Sequence, residues 1–501
     1  MGSGNRHVEV EKKFDVPAGT VFPSFEGLAT VARVERQAAQ SLDAVYFDTP
    51  DRDLSANKIT LRRRTGGPDA GWHLKLPAGP DARTEVQASL DGSDETTVPT
   101  DLLDIVLAIV RDRPLKPVAR ISTTRNVVML YRGDGAALAE FCDDEVSAWA
   151  LSPVDGEAGE EQRWHEWELE LADSEIEGGR DLLKRLGNRL LDAGAVPAGH
   201  GSKLVKVLDT AGTLPEPDDE DEAPDDPVHR AVAEQVAELL VWDRAVRADT
   251  YDSVHQMRVT TRKIRSLLQA SEDSFGLTDD AWILDELRQL AAVLGVARDA
   301  EVLAERYEAA LKDLPDELVR GPVYARLVDG AQRNYQAGLR RSLAAMRSTR
   351  YFRLLDALEG LVATQPPEAV PGEEPKPVTI DSAYKRVQKA AKNAAEATED
   401  RDEALHRIRK GAKRLRYVAA ATGEPKVSDR AKTIQTLLGD HQDSTVSRAH
   451  LLQQSQVAHA AGEDTFTYGL LYQLEDDLAN RCREQLDDAL SALRKTFKKA
   501  H

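Results

Sequence analysis

The chain has 501 residues, 66 Lys+Arg against 86 Asp+Glu for a formal net charge of -20, and 41% hydrophobic residues. That length exceeds one compact domain, the apolar content suffices for ordinary cores, and the acidic balance argues against a uniformly basic nucleic-acid binder. No apolar run approaches the ~20 residues that span a bilayer and the N-terminus lacks a signal-peptide layout, so a cytoplasmic protein with no membrane partner is expected.

Along the chain, the first region is β-rich. Short alternating segments are expected as strands over 6–14, 41–49, 58–65, 71–77, 82–90, 119–131, 136–148 and 163–171, with helices near 99–110 and 178–193. Turns such as Gly66-Gly67-Pro68-Asp69 separate them. Eight strands are enough to close a barrel and remove its edges. The acidic, Pro-rich stretch Pro215 to Pro227 then reads as a linker, because it has almost nothing to bury and its like charges repel. Beyond it the texture is helical: 228–248, 252–274, 281–312, 320–362 (broken), 380–397, 402–421, 428–457 and 465–498. A second Pro-rich break, Gln365 to Pro377, separates halves 228–364 and 378–501, each with about four helices, which suggests paired four-helix bundles. Cys142 and Cys482 stand far apart without zinc-type spacing, which excludes a disulfide scaffold or a cysteine metal site.

The halves repeat. Val254 to Arg265 (VHQMRVTTRKIR) aligns with Leu405 to Arg416 (LHRIRKGAKRLR) at a constant offset, and Leu294-Gly295-Val296-Ala297-Arg298-Asp299 is echoed by Leu438-Gly439-Asp440-His441-Gln442-Asp443. Both matches in order indicate duplication.

Residues two apart on a strand share a face. Glu9, Glu11 and Lys13 therefore point together, as do Glu166, Glu168 and Glu170, Arg62 and Arg64, Arg83 and Glu85, and Glu140, Cys142 and Asp144; Lys75 lies opposite the Trp72/Leu74/Leu76 face. One charged strand face is ordinarily the wet side of a sheet. Recurrence on six or more strands, acids on some and bases on others, instead describes a barrel with a polar lumen. Clustered carboxylates suit Mg²⁺ or Mn²⁺, and Arg and Lys suit phosphate oxygens. Together they fit a metal-bound polyphosphate chain.

On these residues the region 5–210 resembles the CYTH family of triphosphate tunnel metalloenzymes. The carriers are Glu9-x-Glu11-x-Lys13, Arg62-x-Arg64, the late Glu168-x-Glu170 strand, Tyr46-Phe47-Asp48-Thr49, Lys75, Arg125 and Ser202-Lys203. The resemblance implies an eight-stranded antiparallel tunnel with flanking helices. It implies Glu9, Glu11, Glu168 and Glu170 as metal ligands, and Lys13, Arg62, Arg64, Lys75, Arg125 and Lys203 as phosphate contacts. Glu85, Glu140 and Asp144 fall on the same faces with less defined roles, and Arg120 is an alternative to Arg125. The family's reactions include hydrolysis of inorganic or thiamine triphosphate and cyclisation of ATP; without an obvious nucleobase pocket, inorganic triphosphate is the expected substrate.

In the helical part, His255, Arg258, Arg262 and Arg265 span an arc of about 80° on one helical face, beside an apolar stripe of Val254, Met257, Thr261, Ile264 and Leu268. His406, Arg409, Lys413 and Arg416 repeat the geometry beside Leu405, Ile408, Ala412 and Leu415. A basic helix face is often merely solvated, yet its reproduction suggests a surface for a polyanion. This part, 228–501, resembles the CHAD domain, a conserved histidine α-helical domain. The resemblance implies two four-helix bundles and binding of inorganic polyphosphate. Gln442 stands where the first copy has Arg298, so no phosphate contact is expected there. Asp299 and Asp443 are expected to hold neighbouring bases or helix ends. Neither His255 nor His406 has a metal-spaced partner, and no aromatics alternate with the bases, which argues against metal chelation and against nucleic acid. The expectation is a Mg²⁺- or Mn²⁺-dependent triphosphatase joined to a polyphosphate-binding domain; the competing expectation is a polyphosphate-binding protein with a silent barrel.

Overall fold

The computed structural model describes residues 5–79, 82–90, 95–152, 154–213, 227–270, 275, 281–363, 380–396 and 401–500. Apart from Pro227, the expected linkers Pro215–Pro227 and Gln365–Pro377 lie outside these residues. The chain forms two compact units, Met1–Leu267 with Ala345–Gln365, and Leu268–Ala344 with Pro366–His501.

The first unit is built on a closed antiparallel barrel. Its strands are β1 (Asn5–Asp15), β3 (Gln40–Asp48), β4 (Thr60–Thr65), β5 (Gly71–Pro77), β6 (Ala82–Ala88), β7 (Lys116–Tyr131), β8 (Ala137–Ala150) and β9 (Gln162–Leu171). They run in the order β1-β6-β5-β4-β3-β7-β8-β9, and β9 pairs back onto β1 with Glu11 opposite Glu170 and Lys13 opposite Glu168. All eight expected strands are present. Two short additions, β2 (Arg33–Arg36) on β7 and β10 (Val196–Pro197) on β1, carry too few residues to show a period. Gly66, at φ 77°, makes the β4–β5 turn, where a side chain would strike the Ser41 carbonyl.

The barrel is inside-out compared with a half-buried sheet. Its apolar faces point outward under helices: Leu61, Trp72, Leu74 and Val86 meet Leu102, Val106 and Ile109 of α2 (Thr100–Val110). Phe14, Trp167, Leu169 and Leu171 meet Leu182, Leu183, Leu186 and Leu190 of α3 (Gly179–Asp192). Val118, Ile121 and Val146 meet Leu204, Val207 and Leu208 of α4 (Lys203–Thr210). Because helices take the apolar faces, the charged faces must point inward. α4, which the sequence pattern did not reveal, begins where the Ser202 hydroxyl caps the Val205 amide at 3.2 Å. The remaining short helix, α1 (Asp53–Ala56), is nucleated by buried Asp48, whose carboxylate accepts from the amides of Thr49, Leu54 and Ser55.

The helices are α5 (Pro227–Arg247), α6 (Ser253–Ala270), α7 (Trp282–Lys312), α8 (Val323–Met346), α9 (Thr349–Ala363), α10 (Ile380–Glu396), α11 (Arg401–Ala421), α12 (Pro425–Ala460) and α13 (Phe466–Ala500). The expected break within 320–362 falls between Met346 and Thr349. α5 and α9 belong to the first unit, and a buried polar network joins them to α2. Arg247 donates to Asp243 at 2.6 and 3.2 Å, to Asp104 at 3.1 Å and to the Met346 carbonyl at 2.9 Å, while the Tyr351 hydroxyl donates to Asp243 at 2.9 Å. Arg347 reaches Asp104 at 2.9 Å, and buried Arg111, just past α2, pairs with Asp356 and Glu359 of α9. Spacing along the sequence carries no trace of these long-range pairs.

In the second unit two apolar cores share helices. Val427, Ala431, Ile434 and Leu438 of α12 pack with α10, α11 and the end of α13, whereas Leu451 and Ala458 pack with α7, α8 and the start of α13. Arg306 of α7 crosses to Glu475 of α13 and to the Ser444 hydroxyl of α12 at 2.7 Å.

Candidate functional site

The barrel encloses a cavity of about 510 Å³. Each of the ten expected tunnel residues lines it: Glu9, Glu11 and Lys13 from β1, Arg62 and Arg64 from β4, and Lys75 from β5, together with Arg125 from β7, Glu168 and Glu170 from β9, and Lys203 from α4. Strand parity does this for nine of them, and Lys203 comes from the first turn of α4. Arg120 is turned away: it is solvent-exposed and paired with Asp43 at 3.1 Å, so it is no alternative to Arg125. Residues 120 and 125 have opposite parity, and that signal alone separates them.

Charge inside the cavity is arranged in three groups. On one side Glu168 is caged by bases: Lys13 at 3.1 Å, Lys203 at 2.9 Å, and Arg125. Lys203 also meets Asp144 at 2.9 Å and Glu166 at 2.5 Å, and Arg125 grips Asp144 through two parallel bonds of 2.8 and 2.6 Å. Burial would raise the Glu168 carboxyl, but Lys13, Lys203 and Arg125 outweigh it and hold it well below its ordinary value. Burial opposes charge on Lys203 too, and there the three carboxylates win and push it upward.

The second group is acidic. Glu9 is bound by Lys75, and Glu11 by Lys13 at 2.6 Å. Burial acts to raise Glu11, yet Lys13 and Lys75 bring it down to about 2. Glu170 goes the other way. Burial, with repulsion from Glu9, Glu11 and Glu168, lifts it to about 8 against the pull of Lys75. Three carboxylates from adjoining β1 and β9 thus crowd a buried space without enough positive charge.

The third group is cationic. Arg62 and Arg64 keep buried Nε atoms without hydrogen-bond partners. Burial, and then repulsion from Arg62 and Arg125, pushes Arg64 down to about 9. Arg62 bonds the Tyr46 hydroxyl at 3.3 Å. That hydroxyl is lowered because Arg62, Lys203 and Lys75 overcome its burial.

The oxygen donors of Glu9, Glu11 and Glu170 are of the hard type that suits Mg²⁺ or Mn²⁺, and their mutual repulsion is what a divalent cation relieves. Among the described residues two groups bring metal-ligand atoms within 4.8 Å of one another: His7, Glu9 and Glu85, and Asp144, Glu166 and Glu168. The second already holds the Lys203 ammonium among its oxygens. Two histidines, His7 lining the lumen and His73 behind it, escaped the sequence reading. His73 is buried, with Nδ1 3.0 Å from Glu85 and Nε2 2.9 Å from the Asp69 carbonyl; it shares parity with Lys75, and His7 shares parity with Glu9. Glu85 further accepts from Gln87 at 2.7 Å.

The helical stripes are placed as the periodicity predicts. On α6, Val254, Met257, Thr261, Ile264 and Leu268 are buried, His255, Arg258 and Arg265 are half-buried, and Arg262 is exposed. On α11, Leu405, Ile408, Ala412 and Leu415 are buried, while His406, Arg409, Lys413 and Arg416 are all half-buried along the margin. Arg409 lies over Gly439 of α12, where the missing side chain leaves it room. Arg416 meets Gln435 at 3.3 Å, and the exposed Tyr417 ring sits 5.8 Å from Lys413 and 5.5 Å from Arg416. His406 is lowered by burial and by the neighbouring charges of Lys410 and Arg409. Neither His255 nor His406 belongs to a metal-spaced cluster among the described residues. Burial raises the Asp443 carboxyl, and the nearby charges of Arg409 and Arg306 only partly oppose that.

Fold and lumen define a closed eight-stranded antiparallel barrel with a charged interior, followed by a helical region that carries two basic helix faces. Residues 7–192 match the CYTH domain and residues 230–452 the CHAD domain. Two Mycobacterium tuberculosis proteins, from two strains and both named as uncharacterized, are 64% identical over 507 aligned positions, covering 99% of this chain and 98% of each relative. The chain belongs to the family that joins a CYTH domain to a CHAD domain. Among solved structures, PptA from Streptomyces chartreusis is 20% identical, covering 54% of this chain and 100% of that one at a TM-score of 0.44. The CHAD domain from the plant Ricinus communis is 20% identical, with 53% and 90% covered at 0.37. HpAC1 from Hippeastrum, described as a putative adenylyl cyclase with a dominant triphosphatase activity, is 18% identical, with 42% and 98% covered at 0.26. No helix among the described residues is long and apolar enough to cross a membrane.

Proposed function

We propose that the barrel hydrolyses inorganic triphosphate and that the basic faces of the helical region bind inorganic polyphosphate. The observation that carries the first part is the convergence of Lys13, Arg62, Arg64, Lys75, Arg125 and Lys203 on one cavity in the barrel, where Arg64, although paired with Asp69, is pushed down by burial and then by Arg62 and Arg125, a repulsion that a further anion would relieve. A triphosphate supplies that anion. Arg62 and Arg64 would take phosphate oxygens through their terminal guanidinium nitrogens, and Tyr46 bonds Arg62 at 3.3 Å. Lys13, Lys75, Lys203 and Arg125, now on carboxylates, are within the same lumen and can turn to the chain as it enters.

Glu9, Glu11 and Glu170, with Glu168 beside them, would hold Mg²⁺ or Mn²⁺, which when bound neutralises phosphate oxygens and lowers the barrier to attack by water. Water adds its oxygen to a terminal phosphorus and the bridging P–O bond breaks, giving orthophosphate and pyrophosphate. The arginines stabilise charge on the departing bridging oxygen. Tyr46 and His7 are the rings among the lining residues. That scarcity of stacking surface supports inorganic triphosphate over thiamine triphosphate or ATP.

Phosphate release from tripolyphosphate with Mg²⁺ or Mn²⁺ tests the reading, with Glu9→Gln/Glu11→Gln as control. Metal-dependent release that the double substitution abolishes is the expected result. Absence of release with either metal refutes it and leaves the second reading, a polyphosphate-binding protein with a silent barrel. That reading draws on the internal pairing of Lys13, Lys75, Lys203 and Arg125 with carboxylates.

A further inference from the structure

A second cavity, of about 530 Å³, adjoins the lumen at the end of the barrel formed by β1, β6, α3 and the 197–201 loop. Glu11, Lys13 and Arg83 line both cavities, so the two spaces meet at these side chains. The outer one is basic in a way the lumen is not. Lys12, Lys58 and Lys184 line it, and none of the three forms an ion pair with a described residue. His200 also lines it, with its Nδ1 3.9 Å from an Asp209 carboxylate oxygen. Glu11, already bound by Lys13, is the one acid among the lining residues.

The local structure presents these bases to the cavity. Lys12 points away from the lumen by parity and runs along α3 beside Gly187, where a Cβ would lie 3.8 Å from its stem. Lys58 holds a positive φ of 58°, a backbone shape that a lysine rarely adopts, two residues before β4 with its Arg62 and Arg64. Arg83 donates to the Gly201 carbonyl at 2.7 Å and pins the loop whose next residues, Ser202 and Lys203, line the lumen. One wall is therefore continuous from the outer bases to the inner ones.

Resting on the triphosphatase reading, we propose that this outer cavity binds the phosphates of a linear polyphosphate beyond those seated in the lumen. Inorganic chains longer than three phosphates are then substrates, with Lys12, Lys58 and Lys184 as the subsite that tells them from triphosphate. Unpaired cations sharing a concave site repel one another, and an extended polyanion threading past Lys13 and Arg83 removes that repulsion.

The test compares the full-length protein with Lys58→Gln/Lys184→Gln, both exposed positions outside the lumen. Steady-state rates are measured on tripolyphosphate and on linear hexaphosphate. KM for hexaphosphate is expected to rise about tenfold, a loss of about 1.4 kcal/mol in binding, while both constants for tripolyphosphate stay within about twofold of the parent. Equal shifts for the two substrates, or none, overturn the proposal while leaving the triphosphatase reading intact. A parent protein without turnover overturns that reading instead. The subsite is then decided by lysine acylation read by mass spectrometry. Protection of Lys58 and Lys184 by hexaphosphate and not by tripolyphosphate supports it, and equal labelling under both sinks it.

Discussion

Arg247→Met removes the hub of the α2–α5–α9 network with little change in side-chain volume. Asp243, 0% exposed, then keeps only the Tyr351 hydroxyl, while Asp104 retains Arg347. Breaking a buried pair from one side costs about 3–5 kcal/mol because the remaining charge is uncompensated. For a unit of this size that corresponds to a fall of about 10 °C in the unfolding midpoint. The sign of the pH dependence follows from Asp243. Burial raises its carboxyl despite Arg247 and Tyr351, so folding takes up a proton there. Stability on this account declines as pH climbs from the unfolded value of about 3.9 through the higher folded one. Loss of Arg247 lifts the folded value further, so the variant's deficit is smaller at pH 5 than at pH 8, and Asp243→Asn in the same background recovers much of it. Hydrogen exchange should quicken together in α2, α5 and α9. An unchanged midpoint, a deficit independent of pH, or exchange in α2 that stays at the parent rate refutes the reasoning.

Arg111→Ala, which empties the space of a buried side chain and leaves the half-exposed Asp356 and Glu359 to solvent, is expected to lower the midpoint by a few degrees through lost packing, whereas Arg120→Ala breaks only an exposed pair with Asp43 and shifts stability by less than about 1 kcal/mol; thermal melts of the two variants check the contrast. Cys142, whose thiol is pushed up by burial beyond the pull of Arg125, should resist thiol reagents at pH 8 in the native protein and react after denaturation; rapid native labelling contradicts the buried placement. Arg409→Glu/Lys413→Glu should weaken polyphosphate binding and flatten its salt dependence without a large change in melting temperature. Titration with a long-chain polyphosphate at several salt concentrations measures both.

Much of the barrel was legible because a strand states its own parity. Once Glu9, Glu11 and Lys13 alternate with Val8, Val10 and Phe14, the choice is only which face is buried, and six such strands tipped it toward the lumen. Which carboxylate meets which base was not legible. Glu168 and Glu170 are two residues apart with the same chemistry, yet one sits among Lys13, Lys203 and Arg125 and the other among Glu9 and Glu11. That difference arises from the β1–β9 register and from α4 delivering Lys203, neither of which leaves a local signal. Asp48 is a related case: it stands in a motif that carried the family resemblance, and it serves to cap α1. The helical stripes were fully readable, since 3.6-residue periodicity sets both the buried and the basic rows. The partition into units was not, because Arg247, Asp104 and Tyr351 meet across large separations in the chain.

Closure of the barrel by β1 on β9 also governs the order in which the molecule can assemble. The first half of β1 finds β6 early, Asn5 through Val10 against Ala82 through Gln87, but Glu11 through Asp15 have no partner until β9 has left the ribosome. During synthesis β1 therefore waits as a half-satisfied strand carrying Glu11 and Lys13 on an open edge, and its ladder with β9 completes the barrel wall. Contacts this distant in sequence are slow to close. Nascent chains stalled before β9 should accordingly lack a formed lumen, and those released just beyond α4 should possess it.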